Sequence, residues 1–403
     1  MTEAVQRARI SAGYSAARPA VLHVLEATLG GTLRYLSNII DASAEMPFDM
    51  GWVYSTTRAS SGLGPALAQA RSSRWQLFHL DMDRSINPAS DFRNAMRLRA
   101  IIRRSRPDIV HCHSSKAGGL GRLALIGLPR RPKLVYSPHA VAAQLGAQYV
   151  LIERGLSCLT NRFAAVSESE RQEIVDYGIG RESDVDVVYP AIDTDYFRPA
   201  SRLEARTRLG IRPDSPLVLG IGRLAPQKDP FAFVRVIQWL LPTLPGLQAV
   251  WVGDGEMRGR MQEVLRVQAL ERTVTIAGWQ DDVRQYLAAS DLLLSTSRYE
   301  SFGYTVAEAL AMERPVVATS VAGTTNIMQQ ELKELLYQRD DYNGAARLAA
   351  GLLASPERTL AIGRAGRRIV KSEFSKPQMS RALQSCYGRL LRADDCGYNF
   401  RPI

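Results

Sequence analysis

Two pairs of side chains in the second half of this chain have the types and spacing of an anion site with a polyol beside it. Arg223 and Lys228 stand in Leu219-Gly220-Ile221-Gly222-Arg223-Leu224-Ala225-Pro226-Gln227-Lys228-Asp229-Pro230, where an apolar run ends and Asp229-Pro230 opens a helix predicted over 231–240. Two cations at a helix N-terminus suit a diphosphate. Glu300 and Glu308 stand in Glu300-Ser301-Phe302-Gly303-Tyr304-Thr305-Val306-Ala307-Glu308. A helix starting near Gly303 leaves the amides of Gly303, Tyr304 and Thr305 open to an anion, with Glu300 over the same opening. Glu308 then sits among alanine, leucine and methionine, where a carboxylate needs hydrogen-bond donors; a ribose diol supplies two, and facing water or capping a neighbour is the plainer alternative.

Three segments of the first half offer complementary chemistry. Leu25-Glu26-Ala27-Thr28-Leu29-Gly30-Gly31-Thr32 ends a strand in a double glycine that lets backbone approach a ligand. His113-Ser114-Ser115-Lys116-Ala117-Gly118-Gly119-Leu120-Gly121-Arg122 collects hydroxyls, a cation and glycines suited to a hydroxylated or phosphorylated substrate. Ser137-Pro138-His139-Ala140 places one imidazole after a further strand, and a lone histidine there serves structure as readily as catalysis. His111-Cys112-His113 ends a strand and is not expected to bind metal. Gly220-x-Gly222-x-x-Ala225 matches a dinucleotide fingerprint in letters only, because Pro226 and Asp229-Pro230 delay the helix that the fingerprint needs at its glycines. No Walker, HExxH or GxSxG pattern is present.

The elements that must hold these segments follow from alternating apolar runs and amphipathic stretches. Strands are predicted at 20–25, 50–55, 75–80, 108–113, 133–137 and 162–166, and again at 217–221, 248–252, 274–277, 292–295 and 315–319, with helices between. This is an α/β chain of two doubly wound parallel-sheet domains facing across a cleft, joined through Tyr189-Pro190-Ala191-Ile192-Asp193 and the polar stretch to Ser215. Ligands of such sheets bind beyond the carboxyl ends of strands, where all five segments lie. The expected division is a disordered leader at 1–18, domains at 19–195 and 196–374, and a closing segment at 375–403.

At 403 residues the chain has room for two or three cores, and its 46% hydrophobic and 23% charged residues exclude collagenous, disulfide-framed or wholly disordered classes. Its net charge of +11 invites anionic partners and is spread over both halves rather than gathered in a tail, which argues against nucleic acid. The sharpest cluster is Phe92 to Arg106, where Phe92, Met96, Leu98, Ile101 and Ile102 mix with six arginines at helical spacing. It reads as a core-packed helix with a solvated basic face or as one that rests on an anionic lipid surface. Four scattered cysteines suit a reducing cytoplasm, and no run of 18 apolar residues exists to span a bilayer.

Taken together the segments resemble the retaining glycosyltransferases of family 4, which have the GT-B fold. The resemblance rests on Gly222-Arg223-Leu224 with Gln227-Lys228 and on Glu300 and Glu308 around Ser301-Phe302-Gly303. Supporting pieces are Gly30-Gly31, Val166-Ser167-Glu168-Ser169-Glu170, Gly253-Asp254-Gly255-Glu256, Asp291 to Tyr299 and Pro315 to Thr319. It implies that Arg223 and Lys228 hold the diphosphate of a nucleotide-sugar donor and Glu308 its ribose. Glu300 and the Phe302-Gly303-Tyr304 backbone would hold the sugar, and Gly31 would approach the phosphates from the other domain. His139 would be the active-site histidine beside the transferred sugar, with Glu300 the second catalytic residue. The resemblance further implies transfer with retention and without a metal or other cofactor, and a final helix, after Ser375, that crosses back to the first domain.

His113-Ser114-Ser115-Lys116 with Gly121-Arg122 resembles the subset that builds bacterial surface polysaccharide on lipid carriers. This implies a lipid-linked saccharide acceptor and a cytoplasmic protein held at the inner membrane through the basic helix Arg93 to Arg106. A UDP-sugar is favoured over a GDP-sugar as donor, while no motif near Gly278 to Asp282 separates the two bases. The competing readings are an epimerase or hydrolase of nucleotide sugars on the same fold and a non-catalytic nucleotide-sugar binder. Three features depart from the family: Pro190-Ala191 in place of Asn-Gly, the run Gln329 to Tyr337 where a glycine-rich return to a strand is usual, and the tail Cys396 to Phe400.

Overall fold

The computed structural model describes residues 18–140 and 146–392; the expected leader up to residue 17 and the Cys396 to Phe400 tail lie outside them. The chain forms two units, one of the residues up to Ala191 together with those from Lys376, the other of Ile192–Ser375.

The first unit is built on a parallel sheet of seven strands. These are β1 (Ala20–Leu25), β2 (Asp49–Tyr54), β3 (Gln76–His79), β4 (Ile109–His113), β5 (Lys133–Ser137), β6 (Arg162–Ala165) and β7 (Val185–Val187), in the order β3-β2-β1-β4-β5-β6-β7. The order reverses between β1 and β4, so loops leaving those two strands diverge and open a crevice at their carboxyl ends. Residues alternate across the sheet. Leu22, Val24, Val110 and Cys112 pack under the helices Pro88–Ser105 and Ser115–Leu125. Val21, Leu25 and Ile109 pack on the other side, with the helix Gly30–Ala42 and with Met379, Leu383 and Leu390 of the final helix Lys376–Arg392. That alternation also sends His23, His111 and His113 to one side, since His23 is in register with His111 and Leu25 with His113.

The final helix is tied to the sheet by a directed chain of hydrogen bonds. The Ser137 hydroxyl spends its proton on the Ala164 carbonyl at 2.6 Å, so at 2.9 Å it can only accept from Nε2–H of His111. Nδ1 of His111 is then bare and accepts the Tyr387 hydroxyl at 2.7 Å. Pro190-Ala191, the first departure, closes this unit: the Asn38 amide donates to the Ala191 carbonyl at 2.6 Å.

The second unit repeats the pattern with β8 (Leu217–Ile221), β9 (Gln248–Val252), β10 (Val274–Gly278), β11 (Leu292–Ser295), β12 (Val316–Thr319) and β13 (Leu336–Tyr337), all parallel, in the order β10-β9-β8-β11-β12-β13. Its base is clasped by Arg206, which is fully buried. The guanidinium donates to the carbonyls of Ala289, Arg212, Pro213 and Ser215 and to Asp291 Oδ2 at 2.7–3.0 Å. Two strands escaped the sequence reading. β7 has three residues and β13 two, and β13 lies in the run Gln329 to Tyr337, so the return strand is present there in shortened form, paired with β12 after a 3-10 turn at Gln330–Leu335.

The basic helix Pro88–Ser105 is capped by Asn87, which accepts from the Ser90 amide, and buries Asn94, Ala95, Leu98 and Ile102. Phe92 and Met96, expected on its apolar face, are instead 68% and 38% exposed, one turn apart beside Arg93 and Arg97. Among the described residues no helix is long and apolar enough to cross a membrane.

Candidate active site

In the second unit, β8 ends in a loop whose backbone is pressed onto the loop after β9. The Gly222 amide donates to the Val252 carbonyl at 2.9 Å, and the Leu224 amide to the Asp254 carbonyl at 2.9 Å. Gly253 has φ +137°, and a Cβ there would lie 2.1 Å from the Gly222 carbonyl oxygen; one on Gly255 would lie 2.5 Å from that of Leu224. Gly253-Asp254-Gly255 is therefore the bed on which the Arg223 loop rests. Gly222 itself, at φ +155°, leaves room for the stem of Lys228, whose Cγ is 2.8 Å from where a Cβ would stand.

The helix after this loop runs Pro230–Leu240, with Asp229 as its cap accepting from the Ala232 amide at 3.2 Å. Asp229 is held in the left-handed region, φ +46°, and its other oxygen takes Arg298 Nε at 2.8 Å. Arg298 belongs to the loop after β11, which is stitched to the Lys228 loop throughout. Thr296 donates to the carbonyls of Lys228 and Asp229 at 2.9 and 3.0 Å, the Arg298 amide to the Gln227 carbonyl at 2.8 Å, and Gln227 Nε2 to the Tyr299 carbonyl at 3.2 Å.

That stitching brings the two candidate segments together. Oε1 of Glu300 accepts both the Lys228 ammonium and, at 2.7 Å, the Ser297 hydroxyl. Three residues on, Gly303 caps the helix Tyr304–Ala311 at φ +97°, where a side chain is strained. Phe302 is buried edge-on between the rings of Tyr304 and Phe374. Gly323 lies behind Glu300, donating to its carbonyl at 3.0 Å, and a Cβ there would press on it at 2.7 Å. Glu308 is buried, at 1% exposure, so the alternative of a carboxylate facing water is removed. Arg223 is exposed, and its guanidinium has no hydrogen-bond partner among the described residues. A loose guanidinium, an ammonium held by a carboxylate, and a helix N-terminus thus share one sheet edge.

In the first unit Gly30 opens the helix Gly30–Ala42 at φ +57° with nothing within 4 Å of a Cβ, and Gly31 is exposed beside it. His139 follows β5 in the left-handed region, φ +61°, half-buried, with Tyr35 edge-on at 4.8 Å between ring centroids. Its Nε2 lies 3.1 Å from Nδ1 of His113, and Nε2 of His113 lies 3.0 Å from Nδ1 of His23. Burial holds His23 and His139 at a pKa of about 3, and holds His111 and His113 well below the usual imidazole range, with the neighbouring rings adding to it. All four rings are neutral at pH 7.

Two of the residues expected to meet an acceptor are corrected by this geometry. His113 is 1% exposed and has both nitrogens engaged, so it is not open to an acceptor. Lys116 donates to Asp91 and to the Ser85 carbonyl, each at 2.6 Å, and so pins its helix to the basic helix instead of waiting for a phosphate. Ser114, at φ +84°, and Ser115 remain partly exposed at that helix start. Sequence reading passed over His23, whose only signal is an alternating place in an apolar strand. His23, His111 and His113 place ring nitrogens within 4.8 Å of one another, a spacing that invites a metal. Both nitrogens of His111 and of His113 are already spent on hydrogen bonds, so this trio does not present three open ligands.

Two doubly wound sheets with anion-binding loops at their strand ends define the GT-B class of glycosyltransferases. Residues 29–196 match the model of Glycosyltransferase Family 4, and residues 215–355 that of Glycosyl transferases group 1. The chain belongs to the family-4 glycosyltransferases. It is 24% identical over 357 residues to the lipopolysaccharide core biosynthesis glycosyltransferase LpsE of Rhizobium meliloti, covering 88% of this chain and 94% of that one. It is 25% identical over 271 residues to the Escherichia coli UDP-Gal:alpha-D-GlcNAc-diphosphoundecaprenol alpha-1,3-galactosyltransferase, covering 64% and 69%. To the D-inositol 3-phosphate glycosyltransferase of Segniliparus rotundus it is 29% identical over 280 residues, and there it spans only 62% of the relative's length. Among solved structures, Anabaena Alr3699/HepE in complex with UDP and glucose superposes with a TM-score of 0.77 at 18% identity, over 91% of this chain and 99% of that one.

Proposed function

We propose that this protein is a retaining, metal-independent glycosyltransferase that takes a sugar from a nucleoside-diphosphate donor, UDP favoured over GDP, and moves it to a hydroxyl of a lipid-linked saccharide in bacterial surface-glycan assembly. The observation that carries this reading is the Lys228 and Glu300 pair at a helix N-terminus, with the unpartnered Arg223 on the same loop. An arriving diphosphate competes with Glu300 for the ammonium, since a phosphate oxygen is a stronger partner for it than a carboxylate already shared with Ser297. Glu300, once released, accepts hydroxyls of the donor sugar. Arg223, Lys228 and the amides at the start of the helix Tyr304–Ala311 then stabilise the charge that develops on the leaving diphosphate, the work that a metal ion does in other transferases. Glu308 holds the ribose, Gly31 and His139 are assigned by the family resemblance to the donor phosphates and the transferred sugar, and Ser114 and Ser115 to the acceptor.

UDP is favoured because the galactosyltransferase relative is named for a UDP donor and the Anabaena structures hold UDP. The diphosphoundecaprenol in the former's name supports a lipid-linked acceptor, and on that reading the protein works at the cytoplasmic face of the membrane. The exposed pair Phe92 and Met96, beside Arg93 and Arg97, supports contact with an anionic bilayer.

A melt with UDP, GDP and ADP, beside Glu308→Ala, tests the donor half. A ligand at a hundred times its Kd adds about 2.7 kcal/mol to stability. A shift with UDP that is lost in Glu308→Ala is expected; a shift with none of the three overturns the reading. Donor hydrolysis that proceeds equally with and without a saccharide acceptor would instead identify a hydrolase.

A further inference from the structure

His139, His113 and His23 form a line of three imidazoles leading from a half-buried ring into the sheet. Each ring is neutral, so each carries one N–H, and the two hydrogen bonds must run the same way. If they run inward, His139 donates from Nε2, His113 donates from Nε2, and His23 ends the line with an N–H at Nε2. If they run outward, His23 donates from Nδ1, His113 donates from Nδ1 to Nε2 of His139, and His139 carries its own proton on Nδ1. The end of the line decides between these.

Nε2 of His23 is buried with no partner among the described residues. On the neighbouring strand Trp52 is in register with His23 and belongs to the apolar cluster on that side of the sheet, and its Nε1 is likewise buried without a partner. An indole N–H can only donate. An inward line would add a second stranded N–H to this buried side of the sheet, and orphaned buried N–H groups are the rarer kind. An outward line leaves only an unfilled lone pair on His23 Nε2, so the Trp52 indole remains the one stranded donor of the two. Trp75 stacks on the face of His23 at 5.3 Å between centroids and keeps the ring from turning. His111, bound to Tyr387 and Ser137, offers no alternative partner.

We propose that His23 and His113 lock His139 in its Nδ1–H tautomer, so that His139 meets the transferred sugar as a fixed hydrogen-bond donor and not as a base. The second half rests on the proposed placement of that sugar beside His139; the first half does not. His23 and His113 are positioning residues, since neither touches substrate.

Long-range nitrogen–proton NMR of the full chain, with ¹⁵N-histidine and His139→Gln to assign the signal, reads the tautomer without any activity. At pH 7 His139 should show a protonated Nδ1 and a bare Nε2, and His113 the same. A proton on Nε2 of His139, or on both nitrogens, overturns the proposal. His23→Leu should mix the tautomers of His139 and lower kcat about tenfold with the donor KM within twofold, and His23→Asn, which can donate in place of Nδ1, should restore both. An unchanged tautomer in a folded His23→Leu protein also overturns it. A correct tautomer in a protein that transfers no sugar refutes the functional reading alone.

Discussion

The ammonium of Lys228 and Oε1 of Glu300 are hydrogen-bonded across 72 residues of chain, with the Ser297 hydroxyl on the same oxygen. Each is the other's ligand. Removing Lys228 as alanine should weaken UDP binding roughly ten- to a hundredfold, the equivalent of about 1.5–3 kcal/mol for a charged hydrogen bond. Glu300→Gln should leave UDP binding equal or tighter, because it frees the ammonium, while transfer falls. Calorimetric titration of both variants with UDP checks this, and equal weakening in both would show that the pair acts only as a structural tie.

Among the glycines of the second unit, Gly253 combines the closest approach to backbone with a left-handed φ. Alanine there meets the Gly222 carbonyl at 2.1 Å and carries a left-handed φ of +137°. We expect Gly253→Ala to lose about 1–3 kcal/mol or more in urea melts, with UDP binding lost in step as the Arg223 loop is lifted. Gly119→Ala, with nothing within 4 Å and an ordinary helical site in Ser115–Leu125, should be neutral or stabilising by about 0.4–1 kcal/mol.

Glu170 supplies a pH dependence. Its Oε2 caps the Val166 amide at 2.7 Å while burial drives its pKa from 4.5 up to about 8, and Oε1 has no partner among the described residues. A carboxyl whose folded pKa is raised contributes stability in full below pH 4.5 and loses it as the pH rises through about 8. Glu170→Gln keeps the bond to Val166 without the charge. Its gain in Tm over the parent should be near zero at pH 4.5, grow up to pH 8 and flatten above. A gain independent of pH would mean that the carboxyl titrates normally.

The basic helix should bind anionic vesicles through its exposed turn. Recovery on vesicles containing phosphatidylglycerol should exceed that on neutral ones, fall with salt, and fall in the triple variant Arg97→Ser, Arg103→Ser, Arg104→Ser. Equal flotation of parent and variant on both lipids would remove the membrane from the proposal.

How far such features could be read beforehand depended on how local they are. β1, apolar but for His23, and β8 are short runs bounded by polar turns, and their limits fall where the pattern places them. The Asp229-Pro230 start and the Gly303 cap are set by neighbours in sequence, and were legible for that reason. β7 and β13 exist only through pairing with β6 and β12, and three or two residues leave no period to detect. Lys116 has its partners 25 and 31 residues away, and His113 finds His23 at a distance of 90. Composition could suggest a polar pocket at 113–116 but could not show which of its groups were already taken. Phe92 and Met96 fit a helical apolar stripe by letter, while the packing of Leu98 and Ile102 turns them outward.

The helix Lys376–Arg392 also has a consequence for the order in which the protein is made. The cluster beneath β1 and β4 includes Met379, Leu383, Cys386, Tyr387 and Leu390, and Tyr387 joins His111 across 276 residues. During synthesis the first unit therefore leaves the ribosome with one side of its sheet only partly covered and His111 without its donor. It stays so while all of Ile192–Ser375 is translated. The second unit, later in sequence, has every strand it needs first, and the unit that began folding earliest is the last to finish.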